Sequence, residues 1–492
     1  MKRALDPFLL LLLTFPYVVL LLHLSLSPWT AVDYPELWWA LKNSLQQSFL
    51  SAALALLLGC SFSLGLFALI LKFGLNQRYL GLLEGLLLLP SLLPPIFVIL
   101  ICFHFIDPFP FGILGIALAH AVTYAGLVAV HLKSFLDANI LKFAFIAELL
   151  GASRWRFWRT SLPLLIPELC SLFVIVLLAS FSSFSIPLVM GGGRGTTLEI
   201  LIYEKFKIEG NIEAALLLSI LQMLAVFALV FGGRLFSSRF VERFRQGRSE
   251  LLSRPPRLVT SWFGAFGLAL FLGIFWLHFL WGIVQGWKEL WDLNEIWTVA
   301  LATLYPSLVL ALGAGFLLVI FFFLLLSKGV SSWLRGMVQA WASPPTALVG
   351  LALILVNARF QWNLWGLYIL GFVLMCLSPL YRWGFQEDWQ RMQRLRWIGD
   401  SHGASWWVDL RWIVLPYFWQ KVWRISGVGA VWMLGDFALG KIILGSETTL
   451  PLLIEGLVNS YRLDAGIALS GMLMLLSLLV WMIFRGVSLV VR

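Results

Sequence analysis

Charge is scarce in this chain. Only 12% of its 492 residues are Asp, Glu, Lys or Arg, which excludes a water-exposed surface around a soluble protein of this length. Cysteine is scarce as well. Cys60, Cys102, Cys170 and Cys376 all lie in apolar stretches, so neither a disulfide framework nor a zinc site is indicated, and packing roles are expected. His104, His120 and His131 are scattered without metal-ligand spacing and are expected to be hydrogen-bonded packing residues. Acidic residues do not cluster: Glu387-Asp388 is a lone pair in an Arg-rich loop, expected to form local ion pairs. A membrane-embedded lipid-modifying enzyme would need grouped carboxylates for Mg²⁺ or a nucleophile with a positioned base, and neither pattern is recognisable. The stretch GDFALGKI, Gly435 to Ile442, has the glycine and lysine spacing of a phosphate-binding loop but ends in Ile442, which offers Mg²⁺ no oxygen. The chain is therefore not expected to be an enzyme, to bind nucleotide, or to hold a metal or other cofactor of its own.

What is present is apolar length. Hydrophobic residues make up 60% of the chain and its mean hydropathy is +0.90. Runs of about 20 apolar residues, enough to cross a bilayer, predict spans near 7–27, 46–73, 84–106, 111–132, 165–188, 213–234, 260–284, 297–326, 340–357, 362–382, 418–440 and 465–485. Such runs must be helices, because barrel strands would alternate over shorter segments. The expected fold is thus an all-α polytopic membrane protein of about twelve helices. The N-terminal run is long enough to span and lacks a small-residue cleavage site, so it is expected to be retained.

With both termini cytoplasmic, all but eight of the 35 Lys and Arg fall on the inner side. The eight are Lys42, Arg194, Lys205, Lys207, Lys288, Arg359, Lys441 and Arg462. The basic balance therefore reflects orientation in the membrane and calls for no nucleic acid. Tryptophans, among them Trp155, Trp158, Trp397, Trp406, Trp407 and Trp412, gather around two cytoplasmic loops, where contact with membrane lipid is expected.

An internal repeat organises the chain. Gly151-Ala152-Ser153 recurs as Gly403-Ala404-Ser405, and Leu162-Pro163 as Leu415-Pro416. Thr196-Thr197-Leu198 recurs as Thr448-Thr449-Leu450, Leu218-Ser219 as Leu469-Ser470, and Pro94-Pro95 as Pro344-Pro345. Ordered recurrence near a constant offset indicates tandem duplication. The expected division is a first repeat over 1–233, a basic linker over 234–259 and a second repeat over 260–492. Six spans per half make the repeats parallel. The linker, with Pro255-Pro256, reads as a solvated segment touching headgroups.

Each half carries a cytoplasmic loop, about 138–165 and 390–417, with a small-residue turn, an aromatic and basic stretch, and then Leu-Pro. A proline there is expected to begin or end a helix at a defined angle. By itself such a loop is also compatible with an interfacial helix anchored by Trp155, Trp158, Trp406 and Trp407. The loops resemble the EAA loops of permease subunits of binding-protein-dependent ABC importers. Gly403, Ile413, Leu415 and Pro416 match the full spacing, with Ala404 beside the glycine. In the first half Ala147, Gly151, Leu162 and Pro163 match with one residue missing, with Ala152 again next to the glycine. The glutamate is replaced by Phe145 and Trp397. The fused form with two loops resembles the thiamine and iron(III) importer permeases, the thiamine type especially through MGGGRGTTLEILIYEKF, EAALLLSILQML and the region from Gly435 to Leu469.

The resemblance implies a type I ABC importer permease in a bacterial inner membrane, moving thiamine by preference and ferric iron next. It implies two copies of a cytoplasmic ATPase subunit, which bind ATP and Mg²⁺ and receive the two loops as coupling helices, and a periplasmic substrate-binding protein on the outer face. A twelve-span secondary transporter would share the architecture. Its charged signature is missing from the loop KFGLNQRYLG, which has no acidic residue, and Asp436 is the one good intramembrane carboxylate candidate. Asp436, with Ser182 and its repeat counterpart Ser183, is a candidate for the translocation pathway. A packing carboxylate capped by a hydroxyl or by Lys441 fits Asp436 equally. Glu84 and Glu168 lie near cytoplasmic span ends, where structural roles are expected. Gly191 to Gly195 fits either a binding-protein contact or a plain glycine-rich turn.

Overall fold

The computed structural model describes residues 6–26, 33–74, 76–106, 108–237, 255–292, 294–327, 330–331, 333–335, 338, 344–403, 405–445 and 449–490. Ala404, Ser446, Thr448 and linker residues 238–254 lie outside them. In the first half the helices are α1 (Asp6–Leu26), α2 (Tyr34–Phe73), α3 (Gln77–Leu92), α4 (Pro95–Phe105), α5 (Ile113–Asn139), α6 (Leu141–Leu149), α7 (Arg154–Phe181), α8 (Ser185–Met190), α9 (Leu198–Tyr203) and α10 (Ile212–Ser237). The second half has α11 (Trp262–Asp292), α12 (Asn294–Leu326), α13 (Thr346–Phe360), α14 (Leu364–Ser401), α15 (Trp406–Asp409), α16 (Leu415–Leu434), α17 (Ala438–Ile443), α18 (Leu450–Asn459) and α19 (Leu463–Val490).

Among the described residues, nine helices are long and apolar enough to cross a membrane. Over the expected span 84–106 the apolar run is instead a bent pair, α3 and α4 meeting at 97°. Pro94 and Pro95 explain the break, since neither has an N–H to continue the ladder and each restricts the residue before it. The other two expected spans correspond to α13, which has 15 residues, and to α16, whose Gln420, Lys421 and Arg424 lower its hydropathy. Large exposed apolar side chains such as Phe231, Phe263, Leu277 and Ile320 suit hydrocarbon rather than water.

Packing forms two compact units that cut across the sequence repeats. One comprises Tyr34–Leu198 and Leu224–Gly286, the other Met1–Asp33, Glu199–Met223 and Trp287–Arg492. In the first unit α2, α5 and α7 enclose Ala52, Ala55, Phe67, Val128, Leu132, Leu172 and Val176. Leu268 of α11 joins Phe62, Leu66, Leu87 and Ala125 in a neighbouring cluster. There α2 and α11 pack backbone to backbone: a Cβ on Gly65 would lie 2.5 Å from the Gly264 carbonyl carbon. In the second unit Phe316, Trp423 and Phe484 join α12, α16 and α19 through ring contacts of 5.6–5.7 Å.

Local structure repeats with the sequence. Helices begin at Ser185 and Ala438, at Leu198 and Leu450, and at Ile212 and Leu463. Two of the one-residue slips in register between the repeats fall where the structure has a π turn. One turn, Leu410–Val414, lies between Gly403 and Leu415, where the second repeat is a residue longer. The other, Glu204–Ile208, lies between Thr197 and Leu218, where the first repeat is longer. A π turn holds one extra residue while the helix continues, so these two slips are absorbed locally.

Candidate functional site: two coupling loops

The first loop is built by a helix stop followed at once by a helix start. Helix α6 ends with the Ala152 N–H donating to the Ala147 carbonyl at 2.8 Å and the Gly151 N–H to the Glu148 carbonyl at 3.0 Å. This six-to-one and five-to-two pair requires a left-handed residue between them, and Gly151 supplies φ +70°. Ser153 then caps α7 by accepting the Arg156 N–H at 3.4 Å. Ala147, Gly151 and Ala152 are thus one turn. Ile146, Leu149, Leu150 and Trp155 point outward from it, Leu150 being 80% exposed, so the loop presents an apolar tip among Arg154, Arg156 and Arg159.

The second loop repeats the device. Gly403 has φ +71°, and Ser405 accepts the Val408 N–H at 3.4 Å at the start of α15. Trp397, Trp407 and Trp412 are exposed around it. In the first loop α7 runs without interruption from Arg154 to Phe181 through Leu162 and Pro163, so that Leu-Pro neither begins nor ends a helix, contrary to expectation. In the second, α15, the π turn containing Ile413 and α16 form one helical run from Trp406 to Leu434, so Leu415-Pro416 likewise lies inside a helix.

Trp158 and the end of the linker also depart from expectation. Trp158 donates its indole N–H to the Leu258 carbonyl at 3.0 Å instead of anchoring in lipid. Pro255, Pro256, Leu258 and Val259 are buried, and the latter two belong to the core that Phe157 and Leu165 share with α2 and α5. This end of the linker is packed, not solvated.

Residues 61–246 match the family described as "Binding-protein-dependent transport system inner membrane component". The matched stretch contains the whole first loop. "Thiamine transport system permease protein ThiP" of Escherichia coli is 25% identical over 401 residues, covering 76% of this chain and 73% of the relative. The protein of the same description from Salmonella typhimurium is 24% identical over 395 residues, covering 75% and 71%. The chain resembles the ABC importer permeases of the thiamine type. No solved structure matches.

The remaining expected residues are distributed as follows. Ser182 and Ser183 form the turn between α7 and α8, in one compact unit. Asp436 lies in the equivalent turn between α16 and α17, in the other. The Asp436 side chain faces the N–H groups of Ala438, Leu439 and Gly440, and its backbone carbonyl accepts the Tyr368 hydroxyl at 2.7 Å. One carboxylate oxygen, Oδ2, is buried without a hydrogen-bond partner. Lys441 pairs with Glu455, which also accepts from Asn459, so the cap on Asp436 involves Tyr368 and not Lys441. Glu84 and Glu168 have structural partners, Lys133 at 3.1 Å and His131 at 2.7 Å. His120 lies 3.3 Å from the Ser51 hydroxyl. Among the described residues no group of three or more potential ligands could hold a metal. In the Gly191–Gly195 turn Gly191 and Gly195 are buried while Gly192, Gly193 and Arg194 are exposed, and beside it the Gly112 N–H donates to the Met190 carbonyl at 3.0 Å.

Three anchoring residues were not apparent from sequence. Ser44 accepts the Leu198 N–H at 2.8 Å and Ser307 accepts the Leu450 N–H at 2.9 Å, so in each repeat a serine of a long helix seats the helix that follows Thr-Thr. Glu199, fully buried and outside the spanning segments, accepts the Ala347 N–H at 3.0 Å at the start of α13. Burial pushes its carboxyl up to about 7, against the opposing pull of the Ala347 N–H, the Gln222 amide and the Thr346 N–H.

Proposed function

We propose that this chain is the membrane-spanning subunit of an ATP-driven importer and that its two EAA-like loops are the contact points for two copies of an ABC ATPase subunit. The observation that carries the reading is the duplicated turn: Gly151 and Gly403 at φ near +70°, each followed by a serine-capped, tryptophan-bearing helical stretch that feeds a long apolar helix. A lipid anchor has no need of a left-handed glycine kept at the same place in both repeats. Ala147, Gly151, Ala152, Leu162 and Pro163, with Gly403, Ala404, Ile413, Leu415 and Pro416, form the two docking elements.

ATP and Mg²⁺ belong to the partner, and this chain binds no cofactor. A periplasmic binding protein delivers the solute to the outer face, and both termini lie in the cytoplasm. ATP acts because the closed ATPase dimer binds one conformation of the permease better than the other; without that difference it would shift nothing. Thiamine is the favoured solute on the two ThiP relatives, and Asp436, with Ser182 and Ser183, lines its path. A buried carboxylate oxygen without a partner suits a cationic solute.

The test is reconstitution of the chain with its ATPase and binding protein in vesicles. ATP-dependent thiamine uptake, lost in Asp436→Asn with assembly intact, is the expected result. Absence of uptake with wild-type protein that binds ATPase would overturn the substrate, and full activity of Asp436→Asn would overturn its pathway role.

A further inference from the structure

We propose that the end of the segment joining the repeats, Pro255 to Ser261, is a strap that positions the first coupling loop. The inference rests on the functional reading above and extends it to residues outside the EAA-like motif.

Three side chains of the loop grip the strap by its backbone. Glu148, in the last turn of α6, accepts the Arg257 N–H at 2.6 Å. Arg154, the first residue of α7, donates to the Arg257 carbonyl at 2.7 Å. Trp158, one turn further on, donates to the Leu258 carbonyl at 3.0 Å. Glu148 and Arg154 stand on opposite sides of the Gly151 turn, so the strap bridges the helix stop and the helix start. Below the grip Leu258 and Val259 are inserted in the core. Beyond it the Ser261 N–H donates to the Leu64 carbonyl of α2 at 3.0 Å, and α11 begins at the next residue.

The consequence is mechanical. A loop that must move a membrane helix when an ATPase pulls on it needs a fixed relation to the membrane helices, and a turn with an exposed apolar tip does not supply one. The strap does, through two charged side chains and an indole on one side and buried Leu258 and Val259 on the other. Hydrogen bonds to charged groups are stronger than those between neutral ones, less so where solvent reaches them, as it does at Arg154 and Glu148. Glu148, Arg154 and Trp158 are thus positioning residues.

The experiment compares the complex carrying wild-type chain, the double variant Glu148→Ala with Trp158→Phe, and the conservative Glu148→Gln, which keeps an acceptor oxygen. Two quantities are read: amide hydrogen exchange at 258–261 and 150–156, and thiamine taken up per ATP hydrolysed in vesicles. In the double variant, exchange in both segments is expected to rise about tenfold or more, because two hydrogen bonds are lost. Uptake per ATP is expected to fall several-fold with the ATPase still bound, and Glu148→Gln to stay near wild type. Raised exchange with unchanged uptake per ATP would reduce the strap to packing, and unchanged exchange at 150–156 would show that it does not hold the loop. Exchange needs no transport, so wild-type protein with neither ATPase nor uptake would defeat the functional reading while the loop's dependence on the strap is still decided.

Discussion

At the scale of single residues, glycine was the most legible signal. Gly151 and Gly403 stand out in sequence because a left-handed turn is a local demand that few other residues meet. A Cβ at either position meets nothing within 4 Å, so substitution there acts through the backbone and the surface rather than through a clash. Gly151→Ala and Gly403→Ala are expected to cost about 1–2 kcal/mol each, from the left-handed conformation alone, read as a lowered melting temperature in detergent. The partners of the turns were not legible. Glu148 and Arg257 are 109 residues apart, and Ser44 and Leu198 are 154 apart; no local pattern announces such pairs. Ser44→Ala or Ser307→Ala leaves a buried helix N–H unpaired, and each is expected to destabilise by about 1–3 kcal/mol in the same assay.

Glu199 provides a pH prediction. Its carboxyl rises from the usual 4.5 to about 7 in the folded protein, so the folded state holds the proton more tightly than the unfolded state. The resulting stabilisation is fully present below 4.5 and is lost as pH rises through 7. The melting temperature should therefore fall across that interval, and Glu199→Gln should flatten the fall. An identical slope in the variant would contradict the assignment.

At the scale of elements, existence was easier to read than shape. Hydrophobic length located the long helices, because hydrocarbon leaves the backbone no alternative to internal hydrogen bonds. The bend of 97° between α3 and α4 was written in Pro94-Pro95, yet the apolar run continues across it and conceals it. The Leu-Pro pairs misled in a different way: neither begins nor ends a helix, since Pro163 sits inside α7 and Pro416 lies within the continuous helical run from Trp406 to Leu434. The single-residue difference between the loops is what the π turn at Leu410–Val414 absorbs. Deleting one residue within 410–414 should relax that turn to an ordinary α-helix and cost less thermal stability than deleting Gly427, which packs against Phe484. Equal losses would show that the extra residue is not accommodated there.

At the scale of the whole molecule, the recurring motifs point to a duplication but carry nothing of how the parts pack. Helix α1 and residues 199–223 join the compact unit of the second half, and most of α11 joins that of the first. Packing partners are chosen by complementary surfaces such as Gly65 against Gly264, which no repeat offset encodes. The central claim is that the duplicated loops bind an ATPase, and it is tested most directly by purifying the tagged chain from its native membrane in mild detergent and identifying what accompanies it. Wild-type chain should bring an ABC ATPase with it, and the Gly151→Arg, Gly403→Arg double variant, equally inserted and folded, should not. An ATPase retained by the double variant, or missing from folded wild-type protein, would contradict the account.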